Sequence, residues 1–326
     1  MVRIGLIGCG GISNAHARGW KEAPTGKARV VATADIVEER AKERAEQLGA
    51  EAHYTEYEEL LARDDIAGVD ICLPHWLHVE STEKAAAAGK HVLCEKPMAR
   101  TLEEGRRMLD ACRDAGVLLL IGHQHRFTPM YARARELLDT GVVGDIFLVR
   151  AMQGFHPGLR EFHASKEAIG GGVLISTGTH AIDLLRCFAG EVRSVACVSN
   201  RLVRDIEGED TAVLSLSFES GAVGSLVSSW AVQPNVTYYW VHGDKGSLAA
   251  TDTLRFLPGE GEPTEYDVPA GNAFAGEAEH FVDCIAAGSP STIISGEDGY
   301  RSLAIAIAAY RSVEEKRTVE IAEPRS

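Results

Sequence analysis

Short apolar runs alternate with amphipathic stretches through the first part of the chain. Residues 3–7, 28–34, 69–73, 91–94 and 117–121 are apolar and rich in strand formers. Residues 12–23, 37–48, 80–88 and 102–115 carry helical spacing, and the second and fourth of these stop at Gly49 and Gly116. Such alternation predicts parallel strands joined by crossover helices. Strands apolar throughout predict a sheet covered on both faces. Beyond residue 121 the pattern changes. Residues 129–138 and 173–188 read as helices, the latter opened by Gly170-Gly171-Gly172. A period of two then takes over. Leu214, Leu216 and Phe218 share one face, as do Val236, Tyr238, Trp240 and His242, with turns at Glu219-Ser220-Gly221 and Gly243-Asp244-Lys245-Gly246. This predicts an antiparallel meander. Helices over 274–287 and 299–314 and a short strand over 318–321 complete the second part.

A chain of 326 residues is long for one domain and comfortable for two, and the boundary is expected at 121/122. Acidic residues outnumber basic ones, 47 to 33, and the formal net charge is -14. With no basic stripe, a nucleic-acid partner is not expected. The seven cysteines are odd in number, widely spaced, and mostly set in apolar runs. That usage suits a reducing, cytoplasmic compartment better than a disulfide framework. Residues 1–11 read as a strand, not a signal peptide. No apolar run approaches the roughly 18 residues of a membrane span, so no membrane partner is expected.

Gly8-Cys9-Gly10-Gly11-Ile12-Ser13 follows the first strand and opens the first helix. Gly8 allows a tight turn, and Gly10 lets the backbone approach a pyrophosphate. The helix N-terminus offers that anion free N–H groups and a positive dipole end. The third fingerprint position is Ser13, still small enough for close packing. Asp35 ends the second strand, where a carboxylate accepts hydrogen bonds from the adenosine ribose. The competing reading makes Asp35 an ordinary cap of the next helix. Asp35 would also repel a 2′-phosphate, and neither Ile36 nor Val37 is basic. NAD is therefore expected as cofactor in preference to NADP.

With Leu73-Pro74-His75-Trp76-Leu77-His78, Glu95-Lys96-Pro97, and Gly170-Gly171-Gly172 running to His180 and Asp183, the chain resembles the Gfo/Idh/MocA oxidoreductase family. Gln124-His125-Arg126-Phe127-Thr128-Pro129 is a looser match. The resemblance implies an N-terminal Rossmann-like parallel sheet (1–121). It also implies a C-terminal α/β domain with an open, mainly antiparallel sheet (122–326), which often joins subunits into homodimers or homotetramers. It places Pro74, His75, His78, Glu95, Pro97 and Arg126 with Gly8, Gly10, Gly11, Ile12, Ser13 and Asp35 against the cofactor. Lys96 falls on the reacting hydroxyl and the nicotinamide ribose.

Several residues carry two readings. A lysine at the C-terminal end of a parallel strand lies where such sheets bind ligands, yet a lysine after a strand is usually a surface residue. Pro97 is a rigid turn in which a cis bond is possible. His75-x-x-His78 has the spacing of a metal pair, but no third ligand supports it, and no metal is expected. His123 and His125 read as pocket lining before metal ligands.

His180 is the candidate general base, since imidazole titrates near neutral pH. Ser176, His180 and Asp183 fall at i, i+4 and i+7 of the expected helix and share a face. Many relatives carry Asp where this chain has Ser176, so a Lys–Asp–His set is unavailable. Ser176 then positions substrate, and Asp183 or another carboxylate orients His180. Gln124, Gln153, His156, Arg160, Thr179, Trp230 and Tyr238 are candidate substrate contacts, although Trp230 and Tyr238 serve equally as packing.

The function expected is an NAD-dependent oxidoreductase moving a hydride between nicotinamide and a CH–OH or C=O carbon of a sugar, sugar derivative or cyclitol. The alternatives are an NAD-recycling epimerase or eliminase with no net redox change, and a non-catalytic dinucleotide sensor.

Overall fold

The computed structural model describes residues 1–23, 26–159 and 161–321. The described residues form two compact units, those within 1–127 and 272–300, and those within 128–271 and 301–321. The boundary expected at 121/122 therefore falls at 127/128. Residues 272–300, expected in the second domain, fold with the first. The reason is packing. The helix Ala273–Ala287 lies against the helix Ser13–Glu22 so closely that a Cβ on Gly19 would come within 2.7 Å of Phe274. Its Phe281 is buried with Ile4, Leu6 and Val30.

The first unit holds six parallel strands, β1 (Val2–Ile7), β2 (Ala28–Ala34), β3 (Ala52–Tyr54), β4 (Gly68–Ile71), β5 (His91–Cys94) and β6 (Leu119–Ile121). Their order is β3-β2-β1-β4-β5-β6, the doubly wound arrangement, which reverses direction between β1 and β4. The third strand escaped the sequence pattern because Ala52-His53-Tyr54 carries no apolar run.

The second unit holds a nine-stranded sheet of β7 (Ile146–Gly154), β8 (Val192–Asn200), β9 (Thr211–Phe218), β10 (Val223–Ser229), β11 (Val236–Gly243), β12 (Gly246–Ala250), β13 (Leu254–Pro258), β14 (Thr264–Tyr266) and β15 (Val319–Glu320). The order is β14-β13-β12-β11-β7-β10-β9-β8-β15, and every pair is antiparallel except β7 with β10. The expected meander is thus interrupted by β7, which enters from far earlier in the chain. Leu214, Leu216 and Phe218 are buried as expected. On β11 the buried residues are Tyr239 and Val241, so Val236, Tyr238, Trp240 and His242 line the opposite, more open face.

The tract Lys166–Ala189 is long and apolar enough for a membrane span by composition, contrary to the expectation that none exists, yet 83% of its most apolar window is buried inside the protein. Its apolar side chains include Leu174, Ala181, Ile182, Leu184 and Leu185, which belong to the core of the second unit. All seven cysteines carry free thiols.

Candidate functional site

In the first unit, chemistry concentrates at the C-terminal ends of β1, β2, β4 and β5. Gly8 takes φ +89°, and a Cβ there would meet the Cys72 carbonyl oxygen at 2.7 Å, so glycine is required. A Cβ on Gly10 would meet nothing within 4 Å. The backbone at Gly10 thus borders open space shortly before the helix Ser13–Glu22 begins. Ser13 is buried and donates its hydroxyl to the Gly10 carbonyl at 2.6 Å, tying the turn to its own helix. These residues fit a pyrophosphate at a helix N-terminus.

The Asp35 carboxylate accepts two main-chain N–H groups. One oxygen accepts the Val37 N–H at 2.9 Å, at the entry to the helix Glu38–Leu48, and the other accepts the Cys9 N–H at 2.8 Å. The carboxylate braces the glycine turn and retains lone pairs for ribose hydroxyls. Ile36 beside it is 87% exposed.

The loops after β4 and β5 are joined by His78. Its ring nitrogens lie 2.9 Å from the Pro97 and Leu73 carbonyl oxygens, and the side chain is 0% exposed. His78 therefore ties Leu73 to the Lys96–Pro97 turn. The expectation that its side chain meets the cofactor is corrected by this burial. Both His78 nitrogens are engaged by these carbonyls, and the His75 ring lies 5.8 Å away. The Lys96–Pro97 peptide is cis. Lys96 is half-buried, and burial holds its ammonium below the usual lysine range, with Glu95 opposing the shift. Pro74 precedes the short turn His75–Leu77.

Glu95 is part of a network the sequence reading missed. His16 places Nδ1 2.9 Å from Asp70 Oδ2 and Nε2 2.8 Å from Glu95 Oε1. The indole of Trp20 donates to the same Asp70 oxygen at 2.7 Å, and Glu95 Oε2 accepts the Lys96 main-chain N–H at 3.0 Å. Burial opposes charge on His16, but the Asp70 carboxylate overrides it and holds the imidazole well above its usual range. One signal was available in the sequence, an aspartate inside the apolar run Val69-Asp70-Ile71-Cys72.

Gln124 and Arg126 lie in the turn Gln124–Phe127 after β6. Gln124 is buried. The Arg126 guanidinium donates to the Ile293 carbonyl and to Asp298 Oδ1, the latter at 3.1 Å. Arg126 thus anchors the returning segment 272–300.

In the second unit, Gly170-Gly171-Gly172 leads into a π-helical turn, Leu174–Gly178, and then the helix Thr179–Ala189. The expected single helix is therefore in two parts, and π-turns of this kind often accompany functional sites. Ser176, Thr179, His180 and Asp183 are all buried along it. The Thr179 hydroxyl turns back to the Ile175 carbonyl at 3.2 Å. Asp183 Oδ1 accepts the Ser302 hydroxyl at 3.4 Å and lies 3.6 Å from the Arg186 guanidinium. Gln153 donates to the Tyr239 hydroxyl at 3.0 Å.

Two expected substrate walls are corrected. Trp230 is 2% exposed and packs with Ile169, Val173 and Ile206, edge-on to His163. Tyr238 lies on the face of β11 opposite Tyr239. Tyr239 belongs to the core that also contains Ala181, Ile182, Leu184 and Leu185 of the His180 helix. Tyr238 and that helix are therefore on opposite faces of the sheet. His156 is exposed, and Arg160 lies outside the described residues.

Residues 2–123 match the model of the oxidoreductase family with an NAD-binding Rossmann fold, and residues 131–249 match the GFO/IDH/MocA C-terminal domain. The chain is 30% identical to myo-inositol 2-dehydrogenase of Thermotoga maritima, over 99% of both chains. It is 33% identical to an NADP-dependent D-xylose 1-dehydrogenase of Haloferax volcanii, covering 78% of this chain and 77% of that one. Levoglucosan dehydrogenase in complex with NADH superposes with a TM-score of 0.92 at 26% identity, covering 99% of this chain and all of that one.

Proposed function

From the premise that this chain belongs to the GFO/IDH/MocA oxidoreductase family, we propose that it transfers a hydride between NAD and a CH–OH carbon of a sugar, sugar derivative or cyclitol. The observation that carries this reading is the glycine turn of residues 8–13, open over Gly10, with Lys96 at the end of β5 in the same parallel sheet. Relatives named as inositol, xylose and levoglucosan dehydrogenases support the substrate class.

Gly8, Gly10, Gly11, Ile12 and Ser13 hold the pyrophosphate, and Asp35 holds the adenosine ribose. Bound dinucleotide supplies the hydride acceptor for oxidation, or the donor for reduction. Lys96 holds the reacting oxygen and steadies its charge as the C–H bond is lost and the C=O bond forms. His180 takes the hydroxyl proton, and Ser176 positions the substrate. Asp35 favours NAD over NADP by repelling a 2′-phosphate.

The free thiols suit a cytoplasmic setting. An apolar row crosses five strands through Val198, Val213, Val227, Met152 and Tyr238, each paired with the next. This row suits a homodimer or homotetramer contact through the open face of the sheet.

A second reading rests on Ser176. Without a carboxylate there, NAD can be recycled on the enzyme during epimerisation or elimination. Incubating the protein with inositols, pentoses, anhydrosugars and sugar acids, with excess NAD and then NADP, tests the proposal. Accumulating NADH with at least one of them supports dehydrogenation. Product formed at catalytic NAD with no NADH supports the second reading. No turnover and no nicotinamide binding would overturn both.

A further inference from the structure

His16 is buried between two carboxylates, and the second of these leads to Lys96. Three elements contribute groups around it. Asp70 and Cys72 come from β4 and its end, Glu95 and Lys96 from the end of β5, and Glu277 from the returning helix Ala273–Ala287. The Phe274 ring of the same helix lies 4.9 Å from the imidazole and closes it from water. A neutral imidazole donates through one nitrogen only, whereas both nitrogens of His16 face carboxylate oxygens at 2.8 and 2.9 Å. With a carboxylate on each side, the arrangement favours the imidazolium, which donates to both.

We propose that His16 is a positioning residue for the reaction above: clamped between Asp70 and Glu95, it keeps Glu95 charged and fastened to the Lys96 amide, and so maintains the anion beside the Lys96 ammonium. The inference rests on the reading of Lys96 as the group that holds the reacting oxygen.

The electrostatics agree. Burial pushes Glu95 up, but the hydrogen bond and charge of His16, with Lys96 and His78, bring it below its ordinary value. Glu277 has no such partner. Burial drives it well above the carboxylate range, His16 opposes this, and Glu95 and Asp70 add to it. His16 thus favours the charged form of Glu95, while burial favours the neutral form of Glu277. Without the imidazolium, two adjacent buried carboxylates cannot both stay ionised. Asp70 keeps the Trp20 indole N–H. Glu95, with Glu277 also nearby, takes up the proton, and Lys96 loses its counter-charge.

The test needs no substrate. Competitive labelling with acetic anhydride as a function of pH, read by mass spectrometry of the peptide containing Lys96, gives the fraction of free amine at that residue. In His16→Gln and in Glu95→Gln the labelling midpoint should fall by about one pH unit, or about tenfold faster labelling near pH 7. The double variant should show no further shift. A midpoint unchanged in a folded His16→Gln protein would overturn the proposal, since a merely structural role leaves it in place. If the variants do not fold, nitrogen-15 NMR of histidine in the native protein decides. An imidazolium signal for His16 persisting above neutral pH supports the clamp, and a neutral ring there overturns it. Either outcome is independent of turnover. A Lys96→Ala enzyme that retained full rate would sink the reading of Lys96 and leave the labelling result standing.

Discussion

The Tyr310 hydroxyl lies 3.0 Å from Glu209 Oε1, and it accepts the main-chain N–H groups of Gly172 and Ile175 at 3.2 and 3.3 Å. Glu209 Oε1 also accepts the Leu174 N–H at 2.8 Å. Together they cap the π-helical turn that leads to His180. A Cβ on Gly171 would lie 2.1 Å from that hydroxyl, and one on Gly172 would lie 2.1 Å from the Glu209 carbonyl oxygen. The glycine run is thus a steric requirement of the cap. Tyr310→Phe strands these donors, at a cost of about 1–3 kcal/mol. Calorimetry should show a lower Tm, by about 2–4 °C per kcal/mol. Nucleotide binding, which belongs to the first unit, should be unchanged, while kcat falls.

Lys96→Ala and His180→Ala should each lower kcat/KM by roughly a hundred- to ten-thousand-fold, while both variants still bind NAD. Steady-state rates on whichever substrate the screen identifies, paired with nucleotide fluorescence, separate chemistry from binding.

Asp35→Ala removes both the ribose acceptor and the charge that opposes a 2′-phosphate. The ratio of kcat/KM for NADP over NAD should rise by about tenfold, the worth of one charge-assisted hydrogen bond. An unchanged ratio would return Asp35 to the role of brace for Cys9 and Val37 alone.

Buried Glu277 gives stability a definite slope with pH. Its folded pKa is raised by burial. Between the ordinary carboxylate value and that raised value, the folded protein keeps a proton that the unfolded chain has released. Stability therefore falls as pH rises through the window. Glu277→Gln abolishes this term. The variant should match the native protein below the ordinary carboxylate value and become progressively more stable relative to it as pH rises above that value, as read from Tm against pH.

Val213→Lys places a charge in the middle of the apolar row on the open face of the sheet. Light scattering should show a smaller assembly, with the monomer fold retained by circular dichroism. An unchanged mass would move the subunit contact elsewhere.

Local chemistry was written plainly in the sequence. The helix Leu102–Ala115 has the bounds its pattern predicts, because Thr101 accepts the Glu104 N–H at its start and Gly116 takes the left-handed conformation at its end. Strand β9 likewise follows its alternation residue for residue. Relations between distant segments were not legible. Nothing local in residues 146–154 says that β7 pairs in parallel with β10. Nothing in Arg126 announces Asp298. His16 looked like one more residue of an amphipathic helix, because its meaning depends on Asp70 and Glu95, which are far away in sequence. Histidines such as His78 were legible as special but not as to why, since a ring that binds main-chain carbonyls and one that meets a ligand have the same sequence context.

Because residues 272–300 complete the nucleotide-binding unit, that unit cannot be finished when its first 127 residues leave the ribosome. The Gly19 surface and the pocket for Phe281 must wait until the whole of 128–271 has been made. Folding during synthesis, which ordinarily runs from the N-terminal domain onward, is here reordered. The unit begun first is closed only by residues translated after most of the other, and a nascent chain stalled before Ala273 would expose an apolar seam to chaperones.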